Sequence, residues 1–183
     1  MIFLAEDQTG NDANMIKFPS LIMCMGVVVE MADGQLMGAH VTPSGQEAAV
    51  MAALLVEITN HGGAMSRMYC VSHYGLHTHY GAGTVAQKAN AIGFHGTAYL
   101  LDLDNKDKAS AETYSDVTST GGARCRVRYK RMAKIEKVYA IGPGGGKNLA
   151  DLQLKTKKNI FKQDVPGTWH VAADKDLTTI NIP

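Results

Sequence analysis

A cysteine and a histidine, two residue types that act together in thiol chemistry, lie sixteen residues apart near the start of this chain. Cys24 and His40 are on two apolar segments joined by a turn at Asp33-Gly34. A neighbouring imidazole favours the thiolate form of a cysteine, which is the nucleophilic form. The pair therefore predicts a cysteine nucleophile with a histidine base. The alternative is that Cys24 fills space in the core and His40 is a buried histidine with satisfied hydrogen bonds.

The two segments that carry this pair have the pattern of a β-hairpin. Residues 21–31 are apolar and rich in valine, and residues 35–42 return after an Asp-Gly turn. A two-residue turn places Val27 opposite His40, which leaves Cys24 on the other face, about 10 Å along the strand. Contact between the two side chains then requires a bulge, which we expect at Gly26.

Local signals predict the remaining elements. Two Ser/Thr-x-x-Glu/Gln capping boxes, at 44–47 and 84–87, start helices that end at Gly62-Gly63 and near Gly93. Residues 123–131 alternate basic and apolar side chains, as in a strand with one wet face. The other predicted strands are 2–4, 66–72, 96–102 and 135–141, with weaker ones at 159–161, 169–172 and 178–182. The predicted loops and turns are 5–15, 73–83, 105–122 and 142–146.

This order of elements predicts an α+β fold with layered mixed or antiparallel β-sheets, a β-sandwich core and two main flanking helices. The 183 residues suit a single domain over 1–183, with a sizeable core. Residues 142–183 carry weak signals and are expected to form a C-terminal extension.

Bulk composition excludes several function classes. A net charge of +1 gives no electrostatic footprint for nucleic acid or an acidic membrane surface. Three cysteines without a C-x-x-C spacing argue against a disulfide framework and a zinc ribbon. No apolar run approaches the ~20 residues of a membrane span, and the N-terminus lacks the basic region of a Sec signal peptide. We therefore expect a cytoplasmic protein, or one secreted by a route without that signal.

The hairpin also resembles one family. The stretch around Cys24 and His40, the latter within M-G-A-H-V-T-P, is similar to the chemotaxis-receptor glutamine deamidase CheD and to related toxin deamidases. These are the cytotoxic necrotizing factor catalytic domain and Burkholderia lethal factor. The similarity in element order covers residues 15–141. It implies a CheD-like fold and a cysteine-dependent protein glutamine deamidase that uses no cofactor and acts on a protein substrate. It also implies a bacterial effector or toxin.

The resemblance assigns Cys24 as the nucleophile and His40 as the base. Family members often carry a threonine six residues before the cysteine to hold the imidazole, where this chain has Phe18. Ser20 is the nearest hydroxyl, and a backbone carbonyl can also serve as the third member of the site. The gaps around the histidine are each one residue shorter than in CheD, and Met23 replaces a small residue. These departures leave open a non-catalytic protein-binding domain on the same fold.

A histidine cluster gives a third hypothesis. His73, His77 and His79 have the spacing H-x-x-x-H-x-H, and imidazoles bind Zn, Cu, Ni or Fe. The other interpretation is that they line the substrate cleft, together with Tyr74 and Thr42. The first interpretation predicts a metal-binding protein, and the second predicts no metal.

Overall fold

A computed structural model describes residues 1–18, 21–104, 109–117, 123–131 and 169–183. In these residues, three α-helices and a 3-10 turn at Asp174–Asp176 accompany two β-sheets. The helices are α1 (Glu47–His61), α2 (Tyr74–His79) and α3 (Val85–Ala91). The strands are β1 (Ile2–Phe3), β2 (Thr9–Asp12), β3 (Met15–Phe18), β4 (Met25–Met31), β5 (Leu36–Val41), β6 (Met65–Ser72), β7 (Gly96–Asp102), β8 (Ala109–Val117), β9 (Ala123–Arg131), β10 (His170–Val171) and β11 (Leu177–Ile182).

Both sheets mix parallel and antiparallel pairs. The five-stranded sheet has the order β1-β3-β8-β9-β10, and only β1 and β3 pair in parallel. The six-stranded sheet has the order β11-β7-β6-β4-β5-β2, and only β6 and β7 pair in parallel. The predicted α+β class with layered mixed sheets is confirmed at this level.

The six-stranded sheet is buried on both faces. One face packs against the five-stranded sheet, in a core that includes Phe18, Cys24 and Val28. The other face packs against α1 and α3, in a core that includes Val27, Leu54 and Ala89. Strands covered on both sides carry near-continuous apolar runs, which explains the valine-rich sequence of β4. The chain thus forms three layers, with a β-sandwich beneath a helical layer.

Helix ends follow local sequence where glycine or a capping box specifies them. Thr84 Oγ1 accepts from the Gln87 N–H at 3.2 Å, and Gln87 Oε1 accepts from the Thr84 N–H at 2.7 Å, so the second capping box is confirmed. The first is wrong. Helix α1 has Gln46 as its N-cap with no side-chain cap, because Ser44 Oγ accepts from the Gln46 N–H at 3.3 Å rather than from Glu47, and Glu47 Oε1 accepts from the Gly45 N–H at 3.3 Å rather than from Ser44. Gly62, at φ 76°, ends α1 as predicted.

Three segments predicted as loops contain regular structure. Residues 5–15 include β2, residues 105–122 include β8, and residues 73–83 include α2. Each contacts an element that is distant in sequence: β2 pairs with β5, β8 pairs with β3, and the first turn of α2 bonds to Asp102 and Asp104. Strand β9 spans the predicted 123–131. Its predicted partner at 135–141, the turn at 142–146 and the strand at 159–161 lie outside the described residues.

The end of the chain is integral to the fold. Strand β11 pairs antiparallel with β7 along its length, from Leu177 opposite Leu101 to Ile182 opposite Gly96. Strand β10 forms the edge of the other sheet beside β9. The described part of the 142–183 extension therefore completes both sheets.

A buried carboxylate forms ion pairs with the two neighbouring strands in the middle of the five-stranded sheet. Glu112 on β8 is 1 % exposed and accepts from Arg128 Nε at 2.5 Å on β9. Its other oxygen lies 2.5 Å from Lys17 Nζ on β3. A buried charge is tolerated only when it is paired in this way.

Candidate active site around Cys24 and His40

The β4–β5 hairpin brings Cys24 and His40 to the same face of the sheet, without a bulge. His40 is opposite Gly26, and Met25 is opposite Val41, so the expected pairing of His40 with Val27 is wrong by one residue. The cause is the turn. Gly34 takes φ 89° and the Met31 N–H donates to the Gln35 carbonyl, which makes the loop three residues long. A shift of one residue reverses every side chain, so Cys24 and His40 share a face.

Both side chains lie on the face that packs against the five-stranded sheet. Cys24 directly precedes Met25, the first paired residue of β4. It belongs to the same core cluster as Phe18, whose ring packs against His40. In the described structure no hydrogen bond joins the Cys24 thiol to either nitrogen of His40. The two groups are neighbours across the hairpin, and the resting pair is not a hydrogen-bonded dyad.

The His40 ring is held by a backbone carbonyl. Its Nδ1 lies 3.0 Å from the Leu4 carbonyl oxygen, and since a carbonyl can only accept, Nδ1 carries the proton. The Phe18 ring packs edge-on against the imidazole, with the ring centroids 5.7 Å apart. A backbone carbonyl therefore contacts the imidazole, one of the two options that the sequence left open for a third member of the predicted site, while Ser20 lies outside the described residues.

This contact leaves the other ring nitrogen as a base. His40 Nε2 is buried and has no hydrogen-bond partner in the described part of the chain. Burial lowers the pKa of His40 to about 4, against partial opposition from the Leu4 carbonyl and the Asp7 charge. At neutral pH the ring is therefore uncharged, with a lone pair on Nε2 that can accept a proton.

The Cys24 thiol is neutral at rest, contrary to the expectation of a thiolate. Cys24 is 6 % exposed. Burial, followed by the charges of Glu6 and Asp7, raises its pKa to about 12. His40 does not oppose this shift, because the ring is uncharged. The pKa values of Cys70 and Cys125 are also raised to about 12, chiefly by burial, so the pKa alone does not distinguish Cys24.

The turn between β1 and β2 forms an acidic rim beside this pair. The Asp7 N–H donates to the His40 carbonyl at 2.8 Å, and Asp7 Oδ1 accepts from Thr42 Oγ1 at 2.6 Å. Asp7 has φ 59°, a conformation that aspartate tolerates better than most residues. The pKa of the exposed Glu6 is raised by desolvation and by repulsion from Asp7. Thr42, predicted to line the cleft, is buried and holds this turn against β5.

Two of the predicted cleft histidines, His77 and His79, belong to α2, and His73 is the N-cap of that helix, which follows β6 at the Cys24 end of the sheet. His77 is fully buried, and its Nδ1 donates to the Met23 carbonyl at 2.9 Å, directly before Cys24. His73 is buried, with Nδ1 3.9 Å from Asp104 Oδ1. Tyr74 is half-buried, and His79 is exposed with its ring edge-on to Tyr80. His77 therefore reaches the segment that carries Cys24.

The metal hypothesis finds no ligand set in the described residues. No three of their His, Cys, Asp and Glu side chains are arranged to hold one ion. The reason is helical geometry: His73 and His77 are one turn apart, whereas His79 is two residues further on and faces solvent.

Sequence reasoning missed several groups at this site. Three of them come close to Cys24, His40 or His77 only in the folded chain: the Leu4 carbonyl, the Glu6-Asp7 turn and the Met23 carbonyl. Lys88 on α3 was also missed: it is 4 % exposed, donates to the Ala82 carbonyl, and has its pKa lowered by burial. Lys88 in turn contributes to lowering the pKa of His77, after burial. A backbone carbonyl has no sequence signature, and Lys88 could only have been suspected from its apolar helix neighbours.

No protein-family model matches this sequence, and no curated protein is significantly similar to it. Among the described residues, no helix is both long enough and apolar enough to cross a bilayer. Function must therefore be inferred from the chemistry of the site, and the resemblance to CheD-like deamidases stays a prediction.

Proposed function

We propose that this protein is a cysteine-dependent protein glutamine deamidase of the CheD-like type, with Cys24 as nucleophile and His40 as base. The observation that carries the proposal is the Nδ1 contact of His40 with the Leu4 carbonyl at 3.0 Å. It fixes the tautomer in which Nε2 is the acceptor, on the face of the hairpin that also carries Cys24. An oriented base beside a nucleophile is the arrangement that covalent catalysis by a cysteine requires.

The resting state of the pair determines how such a reaction must proceed. Burial raises the pKa of the Cys24 thiol to about 12 and lowers that of the His40 imidazole to about 4, so both groups favour their neutral forms and proton transfer between them is disfavoured at rest. A preformed thiolate–imidazolium pair is therefore not populated. His40 would instead act as a general base, accepting the thiol proton as the sulfur attacks.

The proposed steps conserve atoms and charge. Cys24 Sγ attacks the carboxamide carbon of a glutamine side chain while His40 Nε2 takes the thiol proton. The C–N bond breaks, the imidazolium returns the proton to the departing ammonia, and a thioester remains. Water, activated by the same Nε2, hydrolyses the thioester to glutamate and restores the thiol. If an amine replaces water, the same thioester yields a transglutaminated product.

Exposed apolar side chains near Cys24 suit a protein substrate. Met23 is 39 % exposed, and on the adjoining α2 Leu76 is 43 % and Tyr80 56 % exposed. The bond from His77 to the Met23 carbonyl joins the two segments. An apolar surface beside the nucleophile can bind the residues that flank a target glutamine.

The test uses a glutamine-rich protein such as casein as substrate. Wild type should release ammonia and leave the mass gain of deamidation on casein glutamines, while Cys24→Ser should not. Cys70→Ser is the control, because Cys70 is also buried but lies on the opposite face of the sheet. His40→Asn keeps a donor toward Leu4 but lacks Nε2, so it should lose activity. Ammonia release that persists in both Cys24→Ser and His40→Asn would refute the mechanism.

A non-catalytic protein-binding domain is the second candidate. The burial of Cys24 and the absence of a thiol–imidazole hydrogen bond in the described structure favour it, since both make the resting site unreactive. Under this function, iodoacetamide should alkylate Cys24 no faster in wild type than in His40→Asn. A His40-dependent alkylation rate at Cys24 would instead favour the deamidase.

A further inference from the structure

The carbonyl that precedes Cys24 is held by a buried side chain with no assigned role. His77 Nδ1 lies 2.9 Å from the Met23 carbonyl oxygen, and His77 is 0 % exposed. A carbonyl accepts, so Nδ1 is the donor. Burial is the main cause of a lowered pKa for His77, which keeps the ring uncharged at neutral pH.

The helix that carries His77 is itself anchored. Asp102 Oδ1 accepts from the Tyr74 N–H at 3.2 Å, and Asp104 Oδ2 accepts from the Gly75 N–H at 3.0 Å. Asp102 is the last residue of β7, the parallel neighbour of β6, and Asp104 follows it by two residues. The first turn of α2 is therefore tied to the sheet, and His77 is a fixed donor toward the Met23 carbonyl.

The Met23–Cys24 peptide transmits this constraint to the nucleophile. The described chain has no cis peptide bond, so the Met23 C=O and the Cys24 N–H point in opposite directions within one plane. Cys24 lies before the first ladder residue of β4, and its N–H has no hydrogen-bond acceptor in the described part of the chain. Fixing the carbonyl therefore fixes the direction of an N–H that has no partner at the nucleophile itself.

We infer that His77 is a positioning residue that orients the Cys24 N–H as an oxyanion donor for acyl transfer at Cys24. This inference rests on the proposed deamidase function. The N–H of a nucleophile is a common oxyanion donor because it lies within reach of an acyl group on its own side chain. His77 lies on the far side of the peptide and acts through that peptide bond.

Two reactions of the same thiol separate this role from a structural one. Acylation by p-nitrophenyl acetate passes through a tetrahedral oxyanion, whereas alkylation by iodoacetamide is a direct displacement without one. Both rates would be measured at Cys24 by mass spectrometry, in the full-length chain. His77→Ala should lower acylation roughly tenfold to a hundredfold, in keeping with losses of oxyanion donors, and leave alkylation unchanged.

A conservative variant and a control keep the test independent of folding. His77→Asn retains an N–H donor at the position of Nδ1, so it should restore most of the acylation rate. His61→Ala removes a histidine from the far end of α1, where its partner is the exposed Asp33, and should change neither rate. Far-UV circular dichroism checks that each variant is folded.

The outcomes distinguish the inference from the proposed function. If His77→Ala lowers both rates equally, or neither, the positioning role is wrong while the deamidase proposal stands. The positioning role is likewise overturned if His77→Asn behaves like His77→Ala. If Cys24 in wild type is acylated no faster than in His40→Asn, the deamidase proposal fails and takes the positioning role with it.

Discussion

Gly26 lies where the packing of the two sheets meets the proposed site. Its substitution by alanine tests the packing between the sheets. Gly26 lies opposite His40, and a Cβ at this position would meet Phe18 Cδ2 at 2.6 Å, Cε2 at 2.8 Å and Cγ at 2.9 Å. Phe18 is 1 % exposed and also packs against the His40 ring. The aromatic ring therefore occupies the space that the missing side chain leaves.

The expected cost follows from these contacts. Overpacking a dense core costs about 1–3 kcal/mol, because the obstructing atoms must move or leave their rotamers. The three contacting atoms belong to a rigid ring, so the displacement cannot be confined to one flexible end. Replacing a strand glycine by alanine recovers about 0.5–1 kcal/mol of backbone entropy. Gly26→Ala should therefore lower the free energy of unfolding by about 1–2 kcal/mol.

Urea denaturation of a double-mutant cycle measures this effect. Phe18→Leu removes the ring, so Gly26→Ala should cost little in that background, which gives a favourable coupling of about 1–2 kcal/mol. Gly38→Ala is the control on β5: its Cβ would meet Ile16 Cδ1 at 2.8 Å, and Ile16 Cγ2 and Leu4 Cδ1 at 3.1 Å, so it should not couple to Phe18. Additive losses for Gly26→Ala and Phe18→Leu would refute the packing described here.

Three further predictions concern charge. His40 has its pKa lowered to about 4, so the unfolded chain binds more protons below pH 6.5 and wild type should lose up to about 3 kcal/mol between pH 6.5 and pH 4. His40→Asn should not show this loss when the free energy of unfolding is measured by urea denaturation at each pH. An equal pH dependence of the free energy of unfolding in the two proteins would contradict the prediction. Glu112→Gln should lose about 3 kcal/mol of stability, because it breaks a buried ion-pair network, and a wild-type urea midpoint would contradict this. Glu6→Gln removes a charge that raises the pKa of Cys24, so alkylation of Cys24 at pH 8 should accelerate roughly two- to fivefold, with Cys125 as the internal control. An unchanged Cys24 rate would show that Glu6 does not act on the thiol.

Local sequence determined the helix ends that are set by a capping box or by a glycine. Thr84 and Gln87 close a capping box within four residues, and Gly62 ends α1 through a conformation that other residues avoid. The apolar run of β4 and the alternation of β9 both predicted strands. The face of β9 that was predicted to be wet is partly covered, since Lys130 is 7 % exposed and Arg128 pairs with the buried Glu112.

Elements without such signals depended on distant partners. Strand β8 contains few large apolar residues, and its stability comes from β3 and β9 on either side, including the ion pairs of Glu112. Helix α2 is six residues long, too short to show a periodic pattern, and it is held by Asp102 at the end of β7 and by Asp104 just after it. The residues of β3, Asp102 and Asp104 that stabilise these two segments are distant from them in the sequence, so the local pattern could not reveal them.

The sequence by itself determined which residue types are available for chemistry, a cysteine and a histidine on one hairpin. The tertiary structure decided whether they share a face, because one residue in the turn at Gly34 sets the register and every side chain follows it. It also decided their protonation, since burial raises the pKa of Cys24 and lowers that of His40. The carbonyls of Leu4 and Met23 complete the site through backbone atoms that every residue possesses, so only the folded chain could select them.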